Sequence, residues 1–118
     1  MGAARCAASV MVRMKFLIKG HYNVDGAKGL MKEGGSGRKA AVTKLVESQG
    51  GKLEAFYFAY GDVDVYAICD MPDASSGLAL SLAVNASGAV RITTQPLITV
   101  EEIDTASKKT VGYRAPGA

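Results

Sequence analysis

A single histidine stands in the 118-residue chain, and its imidazole is the side chain best suited to move protons near neutral pH. His21 ends an alternating apolar segment, Lys15–Tyr22, and Asp64 opens a second one. If the two segments pair antiparallel with Phe16 beside Cys69 and Ile18 beside Ala67, His21 falls beside Asp64. A carboxylate on one imidazole nitrogen orients the ring and raises its basicity, leaving the other nitrogen to move protons. The same face carries Lys19, Tyr57, Tyr66 and Arg91. A tyrosine hydroxyl there could donate to a developing oxyanion, and Lys19 or Arg91 could hold an acidic ligand. Plainer readings stand beside these. His21 and Asp64 can be an ordinary polar pair at an interface, and Tyr57 and Tyr66 amphipathic filler there. Arg91 can pair with an acid across a dimer, and Lys19 can reach solvent along its strand.

Other chemistries lack their residues. The run Gly34–Gly–Ser–Gly–Arg–Lys39 misses the Gly-Lys-Ser/Thr end of a phosphate loop, since Ala40 follows Lys39. An anion could still rest on the helix N-terminus behind Ser36, but a helix-to-helix junction is the simpler account. Cys6 and Cys69 form neither C-x-x-C nor zinc spacing, and one histidine cannot complete a usual ligand set, so no metal site is read. No serine occurs in a G-x-S-x-G context. Haem on His21 has only fold analogy behind it, and no cofactor is implied.

Length and charge narrow the remaining classes. At 118 residues the chain is one domain, large enough to bury a core without staples. It has no 18-residue apolar run, which argues against a membrane span. Fourteen basic and 11 acidic residues give a net charge of +3. Arg5, Arg13, Lys15, Lys108, Lys109 and Arg114 account for six of the basic ones, leaving eight against 11, or −3, over Phe16–Asp104. Nucleic-acid binding needs a concentrated basic face, which the globular part does not have. Two distant thiols in such a chain suggest the reducing cytoplasm.

These residues need elements to position them. Lys15–Tyr22 reads as a strand. Helical stripes follow over Val24–Glu33 and Gly37–Ser48, with Ser36 as N-cap of the second and Gly50–Gly51 as its stop. Lys52–Asp70 reads as two strands around a Gly61–Asp62 turn. Ser75–Ser87 is a helix closed by Gly88, and Ala89–Leu97 is a strand whose Pro96 suits a sheet edge. Thr99 and Glu102 form a capping box for a short terminal helix. Residues 1–13 read as a flexible extension, with Met11 or Met14 a plausible start, residues 14–110 as the domain, and residues 111–118 as a tail.

The order strand, helices, strand, strand, helix, strand, helix specifies an α+β, ferredoxin-like βαββαβ fold with a split first helix and an added C-terminal one. Its first and third strands lie in the middle. The hairpin sets Tyr57 opposite Tyr66 and Ala55 opposite Ile68 on the face without helices, where Leu17, Lys19, His21 and Arg91 join them. A sheet face left in water alternates to mainly polar residues. This one is too apolar, so a second copy is expected to cover it.

The stretch Lys52–Leu–Glu–Ala–Phe–Tyr–Phe–Ala–Tyr–Gly–Asp–Val–Asp–Val65 with Pro72–Asp73 resembles the GYD domain family. Gly26–Ala–Lys–Gly29, Gly34–Gly35, Ala83–Val–Asn–Ala–Ser–Gly88 and Val111–Gly–Tyr–Arg114 extend the likeness over nearly everything from Met14 onward. The resemblance implies membership of the dimeric α/β-barrel superfamily, in which ferredoxin-like protomers pair sheet against sheet. Val63 stands where the family's naming tyrosine would be, so no role of that phenol carries over. The expectation is a homodimer or higher oligomer with a cavity between sheet faces for a small organic or acidic ligand. The alternative is a cofactor-independent proton-transfer, lyase or monooxygenase-like enzyme built on His21 and Asp64.

Overall fold

The computed structural model describes residues 13–118. The expectations for residues 1–12, including Cys6 and a start at Met11, lie outside the described residues. Four strands, β1 Met14–Tyr22, β2 Lys52–Phe58, β3 Val65–Met71 and β4 Val90–Leu97, form one sheet in the order β2-β3-β1-β4. All neighbours are antiparallel. Helices α1 Val24–Ser48 and α2 Ala74–Ser87 connect β1 to β2 and β3 to β4, and α3 Val100–Ser107 follows β4. The α+β, ferredoxin-like topology is therefore as the sequence indicates, and Pro96 lies on an edge strand.

Register follows from alternation. Phe16 pairs with Cys69 and Ile18 with Ala67 across β1–β3. The side chains on this face join Val46 and Leu80 to form the buried core of Phe16, Val46, Cys69, Met71 and Leu80. Each such large side chain contributes about 1.5–3 kcal/mol by leaving water. On β2 the pairing steps from Leu53–Cys69 to Ala55–Ile68, leaving Glu54 as the extra residue of a bulge. Leu53 and Phe56 both reach the core side because of it.

The first helical region is split, as expected, into two helices that meet at a kink with no linker between them. Gly34 adopts φ 79°, ψ 167°, and helical geometry resumes directly after it, so Ser36 lies inside the helix and does not cap it. Asn23 caps the N-terminus: its Oδ1 accepts from the Gly26 N–H at 2.8 Å. The same residue ties the helix to the start of β4, its backbone N–H donating to the Ala89 carbonyl at 3.1 Å and its side-chain amide to the Gly88 carbonyl. Thr99 and Glu102 form the expected capping box on α3.

Asp73 caps α2, accepting from the Ser76 N–H at 2.8 Å and the Ser75 hydroxyl at 3.0 Å. The Ser76 backbone bond, followed by the serine hydroxyls, holds its carboxyl below the usual carboxylate range. Its contribution to stability is complete above that ordinary range and is lost as pH falls through the lowered folded value. A carboxyl NMR titration should place Asp73 below a freely solvated aspartate, and Asp73→Asn should remove this part of the acid-side destabilisation. An ordinary titration midpoint for Asp73 would contradict the cap.

Cys69 is fully buried, and burial pushes its thiol up to about 11. In a Cys6→Ser protein the thiol should resist an aromatic disulfide reagent at pH 8 and react at once in denaturant. Rapid reaction without denaturant would mean that the central strands open easily.

Candidate functional site

The face of the sheet away from α1 and α2 is arranged in rows. Tyr57, Tyr66, Lys19 and Thr93 stand side by side across all four strands, and Ala55, Ile68, Leu17 and Gln95 form the next row. Tyr57 is 70% exposed and Tyr66 38%. At the end of the face Lys15 donates to Glu54 at 2.7 Å, and Arg13 meets Asp70 at 3.3 Å. The hydrogen bond to Glu54 holds the Lys15 ammonium above its ordinary range. Four of the residues singled out in the sequence, Lys19, Tyr57, Tyr66 and Arg91, are thus on one sheet face, with Arg91 beside His21 in the β1–β4 register.

His21 and Asp64 are not joined by a hydrogen bond. The β1–β3 ladder stops at Gly20–Val65, one pair short of them. Beyond it the Asp64 N–H donates to the Gly20 carbonyl at 2.9 Å, while the Asp64 carboxylate accepts from the Tyr22 N–H at 2.9 Å. The reason is that Tyr22 has run past its ladder partner on β3, and its backbone donor needs an acceptor. A charged oxygen satisfies it well. His21 Nδ1 is buried in the protomer without a hydrogen-bond partner.

An enclosed space lies on the opposite, helix-covered side. A cavity of about 70 Å3 opens between α1, α2 and the sheet. Its wall is apolar, with Ile18, Val42, Phe56, Leu80, Val84 and Ile92 among the lining residues, and Arg38 is its one charged lining residue. The second half of α1 brings these together because Arg38, Val42, Leu45 and Val46 recur at helical spacing and face the sheet. Arg38 Nη1 donates to Glu33 Oε2 at 3.3 Å across the break at Gly34.

Tyr22 completes the mouth. It shares the β1 parity of Phe16 and Ile18, so its ring faces the helices, and it lines both this cavity and a second hollow bounded by Leu30, Met31, Phe58 and Asp64. Burial raises its phenol above the ordinary range; Arg38 opposes that shift, and Glu33 and Asp64 add to it. Neither Arg38 nor Tyr22 was among the sequence candidates. A lone arginine on an otherwise apolar helical stripe was the available signal.

Among the described residues no group of three or more His, Cys, Asp and Glu side chains comes together to hold a metal, and no helix is long and apolar enough to cross a membrane.

A four-stranded antiparallel sheet with two helices on one face, in this order, defines a ferredoxin-like protein with an apolar hollow under its helices. The sequence pattern of the GYD domain matches residues 16–106, and the chain belongs to the GYD domain family. Neither the curated proteins nor the solved structures give a match.

Proposed function

We propose that this is a small-molecule-binding protein whose ligand sits in the cavity between the sheet and α1–α2. The observation that carries the reading is the cavity itself, a partly enclosed apolar hollow inside an otherwise close-packed layer. The cavity favours binding over chemistry, because His21 is not among its lining residues and the Asp64 carboxylate is committed to the Tyr22 backbone. Thermal melting against small neutral and acidic apolar compounds tests it. A ligand at 100 times its dissociation constant adds about 2.7 kcal/mol. Val42→Phe, which fills the cavity from α1, should abolish that stabilisation while the protein stays folded. No saturable shift across the panel, or shifts untouched by Val42→Phe, would overturn the reading.

A second reading concerns the open face, and its rows of Leu17, Ile68, Tyr57 and Tyr66 favour it. Two copies paired through these rows would enclose Lys19, His21 and Arg91 between them. This pairing is the setting in which acid–base chemistry by His21 would operate. Light scattering on Ile68→Lys should report a monomer where the parent is a dimer; a monomeric parent at micromolar concentration rejects the pairing.

A further inference from the structure

The cavity beneath the helices is asymmetric in its chemistry. Apart from Arg38 at its edge and the Tyr22 hydroxyl, the side chains around it are aliphatic or aromatic. Arg38 spends one N–H on Glu33, and among the described residues no other hydrogen bond is made from its guanidinium. A guanidinium presents five N–H donors in a planar fork matched to the two oxygens of a carboxylate. Tyr22 lies near enough for the Arg38 charge to act on its phenol. A partly desolvated fork and a hydroxyl thus border a greasy hollow.

We propose that the cavity takes a short aliphatic carboxylic acid, its tail among Val42, Phe56 and Ile92 and its carboxylate on Arg38 and the Tyr22 hydroxyl. This rests on the reading that the cavity binds a small molecule. Size sets the tail: about 70 Å3 is half of the roughly 150 Å3 that admits benzene, so a three- to five-carbon branched chain fits better than a ring. Charge sets the head. Glu33 and Asp64 are the acids near the mouth, and each is engaged, one by the Arg38 Nη1 edge and the other by the Tyr22 N–H. An ammonium head would meet the Arg38 guanidinium as a like charge. A carboxylate needs only the unspent donors.

Calorimetric titration of the full chain with 3-methylbutanoate and with its neutral isostere 3-methylbutanamide tests the assignment. The acid should bind about tenfold tighter or more, as expected for a charge-assisted bidentate contact. Arg38→Gln should erase that difference by weakening the acid far more than the amide, and Tyr22→Phe should weaken the acid. Circular dichroism of both variants confirms that they fold. Equal affinities for acid and amide, or a preference that survives Arg38→Gln, overturn the carboxylate assignment while cavity binding stands. If neither compound binds but other apolar compounds still give shifts that Val42→Phe removes, the carboxylate assignment alone fails. Loss of every shift removes the cavity reading with it.

Discussion

Gly26→Ala should lower the melting temperature by roughly 10–20 °C, although alanine for glycine inside a helix ordinarily stabilises by up to about 1 kcal/mol. The sign reverses because a methyl group on Gly26 would stand 2.2 Å from the Ala89 carbonyl oxygen and 3.1 Å from the Tyr22 ring. The oxygen belongs to the backbone at the start of β4 and cannot swing aside. It also accepts the Asn23 N–H, so moving it loosens the cap that starts α1. Overpacking of this kind costs about 1–3 kcal/mol, and the disturbed hydrogen bonds add to it. A methyl group on Gly29, one turn further on, would have nothing within 4 Å, and Gly29→Ala should be neutral or stabilising. Calorimetric melting of the two variants decides the matter, and similar behaviour would mean that α1 does not press on Ala89.

Phe16→Ala should cost about 3–5 kcal/mol, close to a large share of the stability of a domain this size. Phe16 is 4% exposed on a central strand, and its ring lies against Gly77 of α2, where a methyl would meet ring carbons at 2.6 and 2.8 Å. The fit predicts coupling. Gly77→Ala alone should destabilise by overpacking, while Phe16→Leu combined with Gly77→Ala should cost less than the sum of the single changes. Urea unfolding of the four proteins gives the coupling directly, and strict additivity would separate the two residues.

The sheet was legible because a one-residue slip of β1 against β3 would turn Phe16, Ile18, Ala67 and Cys69 away from the helices. Phe16–Cys69, Tyr57–Tyr66 and Ala55–Ile68 all follow from alternation. Alternation says nothing about where a ladder ends, and that is why His21 and Asp64 were expected side by side and are not hydrogen-bonded. The bulge at Glu54 left a trace in the three-residue spacing of Leu53 and Phe56, which a strict period of two does not allow. The break in α1 was visible as Gly34–Gly35, but either glycine could take a positive φ, and Ser36 offered a competing cap. Arg38 was not legible as a site residue because helical spacing places it beside Val42 and Leu45 without showing that a hollow lies under that stripe.

Helix α2 has no ionisable side chain between Ala74 and Ser87; its only neighbouring carboxylate is the cap at Asp73. It rests on Phe16 of β1 through Gly77 and on β4 through the Asn85 amide, whose Oδ1 accepts from Ile92 N–H at 2.7 Å. Ionic strength therefore reaches this half of the roof only through the Asp73 cap. Added salt should act more on the other half, through the Glu33–Arg38 contact of α1, making the two slabs over the hollow respond unequally to the same buffer.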